Sequence, residues 1–370
     1  MALGDFSPSA MPKLLVSLDD ATTDSRVQQR QDLMPELGII EMIKNIETAN
    51  WNSVRPADRY CEEFDVAWLE ESDTEAVVAT GQTMIHRPLC TIDGEELQSV
   101  KTSYKIDKTV TSTLKVKDED CGNMYDWNSK VQLGLKQSFK KLLVGLAQAL
   151  PAYVDAYSGD NQLNTAGWNG QAWNIGSANG AFTEIEPSDL TANKVIPYLT
   201  MLAQMNKLQS PGIVDGGLLF MDYWNAQAQA GTGAGDIGNA NFWALWKNRY
   251  ELDVVNMAAA GYLNAAFVID QGALALPIVS FFPRLGSGEN EVVANKYIYS
   301  VPIPGYTLGG NPVYVDITYT RAEEAIAGGS GRCQIVHTFH MQLKFNLWRA
   351  PKYTSDTTTG IVTLKAGAAV

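Results

Sequence analysis

Apolar and polar positions along this chain follow two different periods, and each change of period marks an element. Over residues 38–49, Ile39, Ile40, Met42, Ile43 and Ile46 recur at helical spacing, which predicts a short helix ended by Trp51 and Pro56. Upstream of it, Pro8, Pro12 and Pro35 interrupt any regular pattern, so 1–35 reads as an extended arm. Residues 64–69 and 76–80 are rich in strand formers. The stretch 97–118, LQSVKTSYKIDKTVTSTLKVKD, predicts a two-stranded ribbon. Val100, Thr102, Tyr104 and Ile106 alternate with polar neighbours, and Val110, Leu114 and Val116 then do the same. Neither face is apolar enough for a core. Such a ribbon must be covered, either by its own domain or by a neighbouring molecule.

The period then returns to that of a helix. Over 127–150, Leu135, Phe139, Leu142, Leu143, Leu146 and Leu150 form one stripe, with Lys136, Lys140 and Lys141 off it. Pro151 is expected to bend or end this helix. A Gly, Asn and Trp-rich stretch over 158–180 reads as a boundary or ordered loop. A second α/β unit is expected to follow: a helix capped by Ser188 and continued by Leu199, Leu202 and Met205, a strand at 218–223, a helix at 239–252 and a strand at 265–269. The last third turns to β, with paired strands at 297–303 and 313–319 around PGYTLGGNP, and a long alternating run over 333–348. That run exceeds the usual strand of about five or six residues and favours an extended sheet.

The chain has 370 residues, 45% hydrophobic and only 19% charged, against roughly 25% charged in an average globular protein. The net charge of −13 disfavours a dedicated nucleic-acid reader, which needs a basic footprint. Residues 1–120 hold 23 acids and 12 bases, so the acidity belongs to the first third. Asp58, Glu62, Glu63, Asp65, Glu70, Glu71, Asp73 and Glu75 there read as a solvated face. Cys61, Cys90, Cys121 and Cys333 form no CxxC pair and read as reduced thiols. The first residues have neither the basic start nor the apolar stretch of a secretory signal. The most apolar region, 257–282, is cut by Asp270, Gln271 and Pro277 into pieces too short to span a membrane.

Candidate chemistry is sparse. Cys333, His337 and His340 lie close in sequence, but on a strand His340 points away from the other two, so they do not converge on a metal without a bulge. GTGAGDIG matches GxGxxG at Gly233, Gly235 and Gly238, yet no strand precedes it, and it reads as a loop tip. Asp118, Glu119, Asp120 and Gly122 fail the ligand spacing of a calcium loop. Glu323 and Glu324 read as a solvated helix face, not a catalytic pair. Trp168, Trp173, Trp224, Trp243 and Trp246 read as core or subunit contacts in preference to a sugar platform.

An arm, a weakly cored β-ribbon, a long helix, a second α/β unit and a long returning strand, in that order, resemble the Hong Kong 97-type major capsid protein of tailed bacteriophages. The likeness spans essentially the whole chain, and NAAFVIDQGALALP, 264–277, is similar to stretches near the centre of such shell proteins. It implies an α+β, Hong Kong 97-like capsid fold. The N-terminal arm would be 1–56 and the extended-loop region 57–126, with the ribbon at 97–118. A peripheral domain would occupy 127–186 with its spine helix at 127–150, an axial domain 187–330, and the return strand and C-terminus 331–370.

By the same resemblance the chain would be structural and not an enzyme, without cofactor or metal. Pentamers and hexamers would close into an icosahedral shell around double-stranded DNA, in a virion capsid assembled in the host cytoplasm. Partners would be other copies, portal, scaffolding and decoration proteins, and packaged DNA touched without sequence preference; no membrane is implied. Residues 1–31 are too short and irregular for the cleaved coiled-coil scaffold of some members, so a separate scaffolding protein, or none, is expected. Assembly contacts are expected at Tyr104, Ile106, Val110, Leu114, Lys136, Phe139, Lys140, Lys141, Trp243 and Trp246. The competing readings are a non-viral shell of the same fold, and a soluble α+β enzyme or ligand-binding protein with loops 158–180 and 231–241 lining a pocket.

Overall fold

A computed structural model describes residues 37–47, 63–69, 99–117, 124–158, 175–176, 182–185, 210–217, 250–284, 291–293, 296–308, 310–325, 333–350 and 359–366, with 203, 208 and 219 singly. Among these the chain is α+β, with two six-stranded sheets, a two-stranded ribbon, a short pair of β9 (Leu274–Ala275) and β15 (Trp348–Arg349), and one dominant helix.

The first helix, α1 (Gly38–Ile46), buries all five of its predicted apolar residues. Lys44 and Glu47 at its end are nearly inaccessible and pair at 2.6 Å. Both also grip one residue of the body: Lys44 Nζ donates to the Leu276 carbonyl at 2.6 Å, and Glu47 Oε1 accepts from the Leu276 amide at 2.8 Å. Burial pulls the Lys44 pKa down even though Glu47 favours its charged form.

The first sheet is built around β14 (Cys333–Phe345), the long strand the sequence predicts. One edge of β14 pairs with β13 (Asn311–Ala325), and β13 pairs in turn with β12 (Lys296–Leu308). That hairpin is tighter than PGYTLGGNP implies. Leu308 pairs with Asn311, and Gly310 in the turn takes a φ of 78°, open to glycine at little cost. β11 (Glu291–Val293) closes the far side, and β10 (Ile278–Val279) pairs with β14 at Phe345 and Lys344, beyond the reach of β13. The other edge of β14 takes β3 (Lys108–Lys117) in an unbroken ten-residue register, Val336 with Lys117 through Phe345 with Lys108.

Helix α2 (Met124–Tyr157) runs 34 residues and packs over this sheet. Its predicted stripe is fully buried, joined by Val131, Ala147 and Val154. The expectation that Pro151 bends or ends the helix is corrected in one respect: the helix continues six residues past it. Pro151 gives up one bond, to the Ala147 carbonyl, but Val154 beyond it is wholly buried, and that packing holds the last turn.

The second sheet has the order β4 (Ile175–Gly176), β5 (Phe182–Ile185), β16 (Ile361–Ala366), β8 (Ala265–Ile269), β6 (Gly212–Asp215), β7 (Tyr250–Leu252). β8 falls where the sequence predicts. β6 was not foreseen; of the strand expected at 218–223, Leu219 sits in a turn and the rest lies outside the described residues. The helix expected at 239–252 is corrected at its end, because Tyr250–Leu252 pairs as a parallel strand with β6. β16, from the C-terminal stretch, lies between β5 and β8 and was not foreseen. A short helix, α3 (Val254–Ala259), follows β7. Its cap Asp253 accepts from the Asn256 amide and, through Oδ2, from the Ile39 amide of α1, so one carboxylate fastens two helix starts.

No described helix is long and apolar enough to cross a membrane. Glu323 and Glu324 are exposed on strand β13, so the helix face predicted for them is corrected to the end of a sheet.

Candidate functional site

The site with most to say about function is the predicted ribbon, and its pairing differs from expectation. Strands form on both halves of 97–118, as β2 (Ser99–Lys105) and β3, but they do not pair with each other. β2 pairs antiparallel with β1 (Glu63–Leu69), from Glu63 opposite Lys105 to Leu69 opposite Ser99. β3 pairs with β14. Ile106 and Asp107 separate the two strands, enough for a hairpin turn, but each strand takes another partner, β1 on one side and β14 on the other. The chain therefore passes directly from the ribbon strand to the body strand, with Ile106 and Asp107 as the joint between them. The period-two signal was right for both halves. It held no information on which partner each half would take.

Alternation also explains how β3 is seated. Val110, Ser112, Leu114 and Val116 turn toward α2, while Thr109, Thr111, Thr113, Lys115 and Lys117 are exposed. Val110 and Leu114 pack against the main core, with glycines facing them on the helix. A Cβ at Gly145 would lie 2.8 Å from Val110 Cγ1, and one at Gly134 would lie 2.8 Å from Leu114 Cδ1. On the outer face Thr113 Oγ1 meets His340 Nδ1 at 2.9 Å. The requirement for cover is thus met for β3 by its own domain.

The bend itself has a separate small core. Ile106 is buried with Ala275, Val279, Phe281 and Trp348, and half-buried Tyr104 packs on the group. Tyr104 stacks on Trp348 with ring centroids 4.8 Å apart, and its hydroxyl donates to the Arg349 carbonyl at 3.1 Å. Asn346 reaches both sides of the bend. Its Nδ2 donates to the Lys105 carbonyl, and its Oδ1 accepts from Lys108 Nζ at 2.8 Å and from the Leu347 amide at 2.8 Å. Lys108 Nζ also lies 4.9 Å from the centre of the Tyr153 ring on α2.

Of the expected assembly residues, the structure brings Tyr104 and Ile106 together at the bend and sets Val110 and Leu114 on α2. Phe139 is corrected: it is fully buried in this chain's own core and offers no surface to a partner. Lys136 and Lys140 are half-buried and Lys141 is exposed, all on α2. Trp243 and Trp246 lie outside the described residues, as do the other candidate tryptophans, the GxGxxG stretch, the acidic run at 118–122 and the strand expected at 76–80. Asn346 and Trp348 were missed. They fall inside the run 333–348 as an unremarkable asparagine and tryptophan, the strand itself stops at Phe345, and only the fold brings Asn346 to Lys105, 241 positions earlier.

His337 is buried within the sheet, its Nδ1 2.8 Å from the Tyr319 hydroxyl. His340 belongs to the other face, as alternation predicts. Among the described residues no group of three His, Cys, Asp or Glu side chains is placed to hold a metal ion.

No protein-family model and no curated protein matches the sequence. Among solved structures, the capsid of Cyanophage P-SCSP1u is 11% identical, with 95% of this chain and 94% of that one covered at a TM-score of 0.41. A chain from Mycobacterium phage Adephagia is 10% identical over 95% of this chain and 98% of its own, at 0.42. The Cyanophage Pam1 capsid is 11% identical over 94% and 98%, at 0.39. These values describe a distant likeness.

Proposed function

We propose that this chain is a structural shell subunit, the major capsid protein of a tailed bacteriophage, with a Hong Kong 97-like arrangement. The observation that carries the proposal is the strand that leaves the body sheet at Ile106 and continues as a ribbon that, among the described residues, has two strands, β1 and β2. A two-stranded ribbon is marginal in water and needs a surface to lie on. A second copy of the same chain supplies one repeatedly in a closed shell. The low charge density suits a surface largely covered by other copies. The capsids named above agree with this reading without carrying it.

On this reading the body sheet with α2 forms the peripheral domain and the sheet around β8 and β16 belongs to the axial domain, a division that differs from the expected one by taking β12 and β13 out of the axial span 187–330 and adding β16 to it. Copies associate as pentamers and hexamers around double-stranded DNA, and the chain has no catalytic role. Tyr104 and Ile106 act by holding the ribbon, and Lys136, Lys140 and Lys141 lower the negative potential near packaged DNA. The purified protein is expected to assemble into closed shells with rising concentration, seen by light scattering and negative-stain imaging. A monodisperse monomer under every assembly condition overturns the proposal. Replacing the three lysines with glutamine is expected to lower genome content at unchanged assembly, and unchanged content removes their DNA role.

A further inference from the structure

We infer that Asn346, with Tyr104 and Trp348, is a latch that fixes the angle of the ribbon to the body and can open without unfolding the body. The assignment of the ribbon to contacts between copies rests on the proposal above; the latch itself does not. Three observations converge on it. The strand changes partners within two residues, so backbone pairing, the usual source of rigidity, is interrupted at Ile106 and Asp107. The cluster under the bend is separate from the main core, so its loss leaves the stripe of α2 buried as before. Asn346 is the side chain that spans the interruption, joining the last carbonyl of the ribbon strand, Lys105, to the first side chain of the body strand, Lys108.

The chemistry of the asparagine fits this task. An amide offers a donor and an acceptor from one rigid plane, and here each is used on a different side of the bend. Aspartate would keep the acceptor for Lys108 and lose the donor for Lys105. Tyr104 adds a second fastening from the ribbon side, through its ring on Trp348 and its hydroxyl on the Arg349 carbonyl. The polar anchors on the body lie within 346–349, just past the end of β14, where Trp348–Arg349 pair with Leu274–Ala275, and the apolar ones add Ala275, Val279 and Phe281. Asn346, buried in its own chain, is thus a positioning residue for assembly.

The test uses the full chain, unassembled and assembled. Asn346→Ala is expected to speed amide hydrogen exchange at 103–107 at least tenfold in the unassembled protein, with exchange in α2 and β14 unchanged. Asn346→Asp is expected to do the same, because it loses the Lys105 bond alone. Tyr104→Phe, which deletes one oxygen, serves if the asparagine variants fail to fold, and is expected to speed exchange several-fold at 103–105. In assembly, the variants are expected to give a broader distribution of particle diameters than the parent. Unchanged exchange at the bend overturns the latch. Faster exchange with an unchanged diameter distribution overturns its positioning role. If the parent forms no particles, the shell reading fails, while the exchange measurement still decides the latch.

Discussion

Gly134 and Gly145 lie eleven residues apart, three turns along one face of α2, and both face β3. In a helix interior each costs about 1 kcal/mol relative to alanine, so an alanine at either position should stabilise the protein if nothing stands in the way. The structure separates the two cases. At Gly134 an added methyl meets the ends of the Leu114 side chain, at 2.8 and 2.9 Å, and those are the freest atoms of a half-buried residue that can swing aside. At Gly145 it meets Cγ1 of Val110 at 2.8 Å, and a β-branched side chain on a strand has no comparable freedom at χ1. Overpacking of that kind costs about 1–3 kcal/mol. Gly134→Ala should therefore be neutral or stabilising by up to about 1 kcal/mol. Gly145→Ala should destabilise by about 1 kcal/mol, the clash outweighing the helical gain.

Chemical denaturation of the unassembled chain, followed by circular dichroism, measures both. The decisive arm is the cycle with Val110→Ala. Removing Cγ1 should release the clash, so Gly145→Ala in that background should stabilise, with a coupling of about 1–2 kcal/mol between the two sites. If Gly145→Ala stabilises the parent, or the coupling falls below about 0.3 kcal/mol, close seating of β3 on the helix is not what these glycines provide.

Other consequences can be read the same way. Asp253→Ala removes the cap of α3 and strands the Ile39 amide, and should cost about 2–4 kcal/mol by denaturation, with Asp253→Asn recovering the cap share. Lys44→Met leaves the Glu47 carboxylate buried without its ammonium and should cost about 3 kcal/mol or more. Asp316 is held above its ordinary 3.8 chiefly by burial, which outweighs the bonds from Ser300, Phe281 and Phe282 and the nearby Lys344 charge. The folded state therefore keeps that proton to higher pH than the unfolded chain. Its contribution to stability is full below 3.8 and is lost as pH rises through the folded value. Asp316→Asn should remove that loss, and a profile of denaturation midpoint against pH that still falls equally in the variant would refute it.

How far the sequence revealed this molecule depends on the range of the interaction concerned. The stripe Leu135 to Leu150 and the alternation of 333–348 encode burial of one face and the apolar run 265–269 burial throughout, and all three formed, although the strand of 333–348 stops at Phe345. Pairing is another matter. Nothing local in Tyr104 or Leu114 states that one belongs to a ribbon with β1 and the other to a sheet with β14. Either register satisfies the alternation, and distant partners decide, Phe64 for Tyr104 and Phe339 for Leu114. The same holds for Tyr250–Leu252, whose helical spacing of aromatics yielded to an open edge on β6. Phe139 shows the converse error: a correctly predicted stripe residue was also assigned to assembly, and one aromatic ring cannot be both in the core and on the surface.

The bend at Ile106 is where these two kinds of information meet. Each half of the strand is specified locally, so each forms a strand whatever the other does. The angle between them is specified by long-range contacts: the apolar cluster around Ile106, the ring and hydroxyl of Tyr104, and the Asn346 amide. A joint with locally stable arms and a distant, small fastening can change angle at modest cost, because neither arm must unfold. That division of labour is what a subunit needs if identical copies are to sit in unlike surroundings within one closed shell. Limited proteolysis of the unassembled chain should accordingly cut at the bend before it cuts α2, and the order should reverse only if the bend is the more stable of the two.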